Sequence, residues 1–269
     1  MEKKSRTPWE RMELIRNKNR PTIRDYIPLI FDNFIELHGD RLFSDDGAIL
    51  GGIATLNGTP VTVIAEVKGK NLLENKQSNF AMPHPEGYRK ALRLAKQAEK
   101  FKRPVIFFID TPGAFCGIGA EERGQGEAIA KNLQELMVLK TPILSIVLGE
   151  GGSGGALALG VCDELAMLEN SIYSVVSPRG FASILWKDAS KEKEAMQIMH
   201  ITAEDLLHLG VCETIIPEPL GGAHMDLYKM SENIKEYLVK KTDEKLKKTL
   251  DVLLKERYTK FRKIGEFQE

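Results

Sequence analysis

The chain has 269 residues, 42% of them hydrophobic, enough for a buried core in one or two domains. Its 38 basic and 38 acidic residues balance, so net charge points to neither nucleic acid nor an anionic membrane surface, and apolar runs of about seven residues fall short of the roughly 20 needed to cross a bilayer. Cys116, Cys162 and Cys212 are widely spaced and odd in number, which fits reduced thiols in the cytoplasm rather than a disulfide frame or zinc knuckle, and the five histidines lack ligand spacing, so no metal is expected.

The charged first residues show no apolar signal core. Thr7-Pro8-Trp9-Glu10 has the form of a capping box with proline at the first helical position, and Trp9, Met12 and Ile15 recur behind it, predicting a short amphipathic helix. It reads equally as a solvated arm or as a docking element. A second helix from Thr22 places Ile23, Tyr26, Ile27, Ile30, Phe31 and Phe34 on one face and ends at His38-Gly39. Asp40, Arg41, Asp45 and Asp46 then form a charged turn. From 50 to 67 two alternating runs flank Asn57-Gly58, the strong signal for a two-residue hairpin. The stretch 68–82 is polar; Lys68, Lys70 and Lys76 could meet phosphates, with a solvated loop as the default. A helix over 88–101 turns Tyr88, Leu92, Ala95 and Ala98 inward and Arg89, Lys90, Arg93 and Lys96 outward.

Strand 104–109 is continuously apolar and empties into Asp110-Thr111-Pro112-Gly113-Ala114-Phe115, followed by a helix over 121–139. A second apolar run, 142–148, empties into GEGGSGG at 149–155, five glycines in seven residues, and then a helix. A buried strand, a glycine turn and a helix thus occur twice, and in helix-covered sheets ligands bind at such strand ends. Glycines let backbone N–H groups approach a ligand, and the helix start adds positive potential, so 149–155 reads as an anion site made of backbone. The same letters match G-x-G-x-x-G, with Glu169 as ribose-binding acid, though Gly160 and Asp163 break the helix early. They also match G-x-S-x-G with Ser153 as nucleophile, though no histidine follows until His200. Asp110, Glu121, Glu122 and Glu127 are candidate bases but equally ordinary acids of helix starts.

Downstream, strands are expected over 164–168, 172–177 and 211–216, with helices from Ser177-Pro178 and, capped by Thr202, over 203–209. His224 sits in a Gly-Gly loop. A Lys, Glu and Leu-rich helical tail over 227–267 bears Ile234, Leu238, Leu246, Leu250, Leu253 and Leu254 as an apolar stripe.

DTPGAF at 110–115, AEERGQGEAIAKNL at 120–133, GEGGSGGALALG at 149–160, YSVVSPRGFASILW at 173–186 and IIPEPLGGAH at 215–224 resemble the alpha chains of bacterial acetyl-coenzyme A carboxylase carboxyltransferases; GGIATLNGTPV at 51–61 and MPHPEGYRKALRL at 82–94 fit as well. The resemblance runs in order from about residue 22 to 224. It implies an α/β fold of the ClpP/crotonase type, a spiral of ββα units with helical extensions: an arm over 1–48, the carboxyltransferase domain over 49–224 and a tail over 225–269. It further implies an alpha2beta2 assembly with a beta chain that carries the zinc, a biotin carboxyl carrier protein bearing the covalent biotin, a biotin carboxylase, acetyl-CoA as acceptor and malonyl-CoA as product. No membrane or nucleic acid is expected.

In such a site, the resemblance implies, backbone N–H groups of Gly154 and Gly155 form the oxyanion hole for biotin. Gly151, Gly152 and Ser153 shape the turn, and Gly113, Ala114 and Phe115 line the biotin side. The freed biotin nitrogen takes the methyl proton, so Ser153, His200 and His224 need no catalytic role. Four positions depart from the family pattern: Arg179 where glutamate is usual, Phe181 where a small residue is, and Ser78 and Ala81 where a basic residue and a glycine are. A related biotin-dependent carboxylase or decarboxylase subunit, a stand-alone crotonase-type hydrolase or hydratase, and a non-catalytic scaffold remain as alternatives.

Overall fold

A computed structural model of the chain describes residues 6–265; residues 1–5 of the expected arm and 266–269 of the expected tail lie outside it. Eight strands form one sheet: β1 (Asp32–Glu36), β2 (Ile49–Leu56), β3 (Thr59–Glu66), β4 (Val105–Thr111), β5 (Ile143–Gly152), β6 (Glu164–Leu168), β7 (Ile172–Ser174) and β8 (Thr214–Ile216). Their order is β1-β2-β3-β4-β5-β6-β8, with β7 paired to β5. The first two pairings are antiparallel and the rest parallel. The β2–β3 turn has φ 46° at Asn57 and 83° at Gly58, the left-handed pair that an Asn-Gly hairpin adopts.

Among the described residues, twelve α-helices accompany the sheet: α1 (Pro8–Ile15), α2 (Ile23–Ile30), α3 (Leu72–Gln77), α4 (Pro85–Lys100), α5 (Ile118–Glu122), α6 (Gln125–Met137), α7 (Ser153–Gly160), α8 (Pro178–Trp186), α9 (Glu192–Ile198), α10 (Ala203–His208), α11 (Leu227–Leu246) and α12 (Leu250–Lys263). Side chains alternate across the central strands. Ile106, Phe108, Leu144 and Ile146 meet Ile23 and Ile30 of α2 and Ile234 and Leu238 of α11 on one face. Val105, Phe107, Ile143 and Val147 meet Ala91 and Leu94 of α4, Leu136 of α6 and Leu159 of α7 on the other. Covering both faces is why these strands read as unbroken apolar runs.

Several expectations need correction. The second helix stops at Ile30, two residues after Pro28, and 32–36 is an edge strand antiparallel to β2, so Phe34 lies on a strand. The helix expected over 121–139 is two, α5 and α6, broken at Gly124 with φ 81°. The run after Leu148 is not a turn: β5 continues through Gly152, where Glu150, Gly151 and Gly152 pair with β7. Lys90 is buried, its Nζ donating to the Ile49 carbonyl at 2.8 Å and pairing with Asp45 at 2.7 Å. The loop 68–82 contains α3, β8 begins only at Thr214, β7 ends at Ser174, and the tail is two helices. The N-terminal helix forms as predicted, with both capping-box bonds, and packs Met12 and Ile15 on Ile172, Met196 and Ile201 of its own chain.

Candidate active site

The site is built where β4 and β5 end side by side. Between Ile109 and Thr111 the β4–β5 register shifts. At that irregularity Asp110 donates its backbone N–H to Glu66 Oε2 at 3.0 Å and accepts the Glu150 N–H on Oδ1 at 3.0 Å. A Cβ on Gly149 would stand 2.6 Å from Asp110 Oδ1, so only glycine leaves the carboxyl its place. Glu66 is 1% exposed, and burial pushes its carboxyl well above the ordinary range, outweighing the Asp110 N–H bond that favours its charged form. Thr111 Oγ1 donates to the Gly113 carbonyl at 2.8 Å and accepts the Gly113 N–H at 3.0 Å, turning the chain sharply toward β5.

Two glycines let the 112–114 loop lie against the start of α7. A Cβ on Gly152 would be 2.2 Å from the Pro112 oxygen, and one on Gly155 would be 2.7 Å from the Gly113 carbonyl carbon. Gly154 differs, since a Cβ there would meet only Ile129, at 3.5 Å. Ser153 opens α7 with φ 51°, the sharp bend between strand and helix. Gly154 and Gly155 therefore occupy the first helical turn, whose amides have no acceptor four residues back and share the positive end of the helix. A cavity of about 80 Å³ at the bend before them is walled by Met12 of α1, Arg16 just past its end, Pro112, Glu150, Gly152 and Ser153; an apolar one of about 280 Å³ borders Gly154 with Leu157, Tyr173 and Val175.

The opposite side is held by residues of 82–86. Phe115 donates its N–H to the Pro83 carbonyl at 3.0 Å, Gln125 Nε2 bridges the Pro83 and Phe115 carbonyls at 2.9 Å each, and His84 stacks on the Phe115 ring with centroids 4.0 Å apart. Arg123 joins His84 at 3.2 Å and Glu86 at 2.9 Å. The structure thus brings together Gly113, Ala114, Phe115, Gly151, Gly152, Ser153, Gly154 and Gly155.

Other candidates are engaged elsewhere. Glu169 accepts the Glu218 N–H at 3.0 Å. Histidines do not serve Ser153: His200 faces Asp205 at 3.5 Å, His224 faces Asn17 at 3.4 Å, and His38 meets Asp45 at 2.8 Å. Lys70 pairs with Asp25 at 2.6 Å, while Glu121, Glu122 and Glu127 are exposed. In the charged turn Asp40 takes Arg89 at 2.8 Å, and Lys90 leads the contacts that outweigh burial and draw Asp45 down to about 2.

Sequence reasoning missed the clamp beneath β5. Arg20 donates to the Leu148 carbonyl at 2.6 Å and to both Glu218 oxygens at 2.7 and 3.1 Å, all buried. Arg20 and Glu218 are far apart in the chain, and only Glu218 lay in a motif. Of the four departures, Ala81 adopts φ 61° and is buried, in a conformation glycine takes more easily. Ser78 donates to the Glu74 carbonyl at 3.0 Å; Phe181 meets Trp186 edge to face at 5.9 Å; Arg179 is exposed in the first turn of α8, where a cation opposes the helix dipole.

A family model described as acetyl co-enzyme A carboxylase carboxyltransferase-like matches residues 3–265. The chain belongs to this carboxyltransferase family. It is 62% identical over 256 residues to the acetyl-coenzyme A carboxylase carboxyl transferase subunit alpha of Clostridium perfringens, covering 95% of this chain and 94% of that one. It is 60% identical over 266 residues to the acetyl-coenzyme A carboxylase carboxyl transferase subunits beta/alpha of Natranaerobius thermophilus, covering 99% of this chain and 44% of that one. The solved structure of transcarboxylase 12S, with methylmalonyl-coenzyme A and methylmalonic acid bound, superposes with a TM-score of 0.64 at 19% identity, covering 86% of this chain and 44% of that chain. This carboxyltransferase-family chain therefore spans under half of that structure's chain, and the likeness shows the crotonase-like α/β fold.

Proposed function

We propose that this chain is the alpha subunit of an acetyl-CoA carboxylase carboxyltransferase, which with a beta subunit moves the carboxyl group of carboxybiotin to acetyl-CoA and gives malonyl-CoA, the first committed step of fatty acid synthesis. One observation carries the site: Gly154 and Gly155 lie in the first turn of α7, and Gly155 packs directly on the backbone of Gly113 and Ala114, in a chain of this family.

Biotin's ureido ring suits what these residues offer. The close approach of Gly152 and Gly155 to 112–114 leaves a backbone cradle that side chains would fill, and Phe115 with Ala114 gives the ring an apolar flank. When bound, biotin supplies the activated carboxyl group, a ureido oxygen that gathers negative charge as that group leaves, and a nitrogen that can take a proton. Gly154 and Gly155 direct their N–H groups at that oxygen, already oriented by the helix, so little reorganisation accompanies the charge. Gly151, Gly152 and Ser153 set the bend that aims them. Gly113, Ala114 and Phe115 hold the ring and exclude water. No side chain of this chain acts as base.

The beta subunit faces this cradle with acetyl-CoA and supplies the second oxyanion hole and the zinc. We place the pair in an alpha2beta2 assembly, visited by a biotin carboxyl carrier protein that a biotin carboxylase charges, in the cytoplasm. Residues 49–224 serve as the carboxyltransferase domain, with 1–48 and 225–269 as its extensions. Mixing the chain with its beta subunit and following malonyl-CoA formation from carboxybiotin tests the reading. Activity appears in the pair and disappears with Gly155→Val; acyl-CoA turnover by the single chain, or full activity of the variant pair, overturns it.

A further inference from the structure

A cavity of about 440 Å³ lies outside the glycine site, between α4 and α6. Arg89, Arg93, Lys96, Arg123 and Lys131 line it over Leu92 and Ala128, and Glu127 is the one acid in the lining. Leu42, 77% exposed, closes one edge. Three of the cations are spoken for: Arg89 by Asp40 at 2.8 Å, Lys96 by Glu135 at 3.0 Å and Arg123 by Glu86 at 2.9 Å. Arg93 instead donates to two neutral carbonyls, Gly39 at 3.0 Å and His38 at 3.2 Å. Among the described residues neither Arg93 nor Lys131 has a carboxylate at ion-pair distance; Asp40 and Asp45 act on Arg93 from farther away. Burial, then the neighbouring Arg41, lowers the basicity of Arg93, the direction expected of a cation short of counter-charge.

We propose that this cavity binds a small organic phosphate, its phosphate on Arg93 and Lys131 and its apolar body against Leu42 and Leu92. A planar guanidinium beside an ammonium matches phosphate oxygens, and the apolar floor has no use for an inorganic ion. The cavity is also wired to the biotin side: Arg123 in its wall reaches His84 at 3.2 Å, and His84 stacks on Phe115 at 4.0 Å. A phosphate that draws on Arg123 shifts this stack, so occupancy changes the wall facing the 113–115 loop. The coupling rests on the role given to Phe115 above; the binding does not.

Calorimetric titration of the full chain with AMP and with inorganic phosphate tests the site without any carboxyl transfer. AMP binds saturably at one site per chain, more tightly than phosphate and more weakly as salt rises, and Arg93→Gln/Lys131→Gln weakens it by about tenfold or more. AMP also alters amide hydrogen exchange at 113–117. Absence of saturable AMP binding into the millimolar range, or unchanged affinity in the folded double variant, overturns the site. Phosphate binding as tightly as AMP overturns the organic ligand, and unchanged exchange at 113–117 overturns the coupling. Should the double variant fail to fold, Lys131→Gln alone, at an exposed residue, decides by the same affinity comparison.

Discussion

A side-chain carbon on Gly155 would lie 2.7 Å from the carbonyl carbon of Gly113, whereas one on Gly154 would meet nothing closer than Ile129 at 3.5 Å. Neighbouring glycines in one motif are therefore glycine for different reasons. Gly155→Ala must push the 112–114 loop off the start of α7. We expect carboxyl transfer to fall about 100-fold, the order of losing one oxyanion donor, with beta-subunit binding intact. Gly154→Ala should keep activity within a few-fold. Steady-state rates of the two reconstituted pairs check this, and equal losses would refute the steric distinction.

We expect Asp110 to act as a positioning residue rather than a base, because its Oδ1 accepts the Glu150 N–H and lies 3.8 Å from Lys68 Nζ. Asp110→Asn keeps an acceptor oxygen and should retain most of kcat. Asp110→Ala leaves the Glu150 amide without a partner, which costs about 1–3 kcal/mol, and should lower kcat with the KM for acetyl-CoA unchanged. Loss of activity in the asparagine variant equal to that in alanine would point to direct chemistry.

The Arg20–Glu218 pair should dominate the acid limb of the stability profile. Burial raises the Glu218 carboxyl pKa, but the charge and bonds of Arg20 outweigh it and hold the carboxyl below its ordinary range. A depressed folded-state pKa gives stability that is fully present above the unfolded value and is lost as pH falls through the folded one. At neutral pH Glu218→Gln should cost about 3–5 kcal/mol by leaving Arg20 unpaired. Thermal melts of the two proteins should converge as acid protonates Glu218, and a gap that persists at the lowest pH refutes the linkage.

Arg257, 0% exposed, fastens α12 to the body. It donates to both Asp163 oxygens at 2.7 and 2.8 Å and to the carbonyls of Leu136, Leu139 and Thr141 at 2.8 to 2.9 Å, near the end of α6. Arg257→Ala should destabilise the protein by about 3–5 kcal/mol. Arg257→Lys should rescue little, since an ammonium cannot copy the planar fork. Denaturant midpoints measure both.

The β2–β3 hairpin, the two buried strands and the glycine cluster were legible because local patterns decide them. Elements decided by distant packing were not. The edge strand at 32–36 looks helical since apolar Phe31 and Phe34 continue the spacing of α2, while its pairing with β2 has no local signal. Lys90 reads as an outward residue, yet it fills a buried position through Ile49 and Asp45, which lie more than 40 residues away. In the site, the glycines were visible, but which of them face backbone was not. That depends on where 112–114 comes to rest, and so do the roles of Glu66 and Gln125.

The cluster joining α2 to α11 brings residues 23–30 against residues 230–238 on one face of the sheet. During synthesis the early partner emerges long before the late one, so the flank formed by Ile106, Phe108, Leu144 and Ile146 has only α2 against it and lacks its α11 cover until residues 227–246 have left the ribosome. A nascent chain halted after β8 presents that surface to chaperones or to other chains, and shortening the protein from its C-terminal side should cost yield of folded material well before it touches any residue of the carboxyl-transfer cleft.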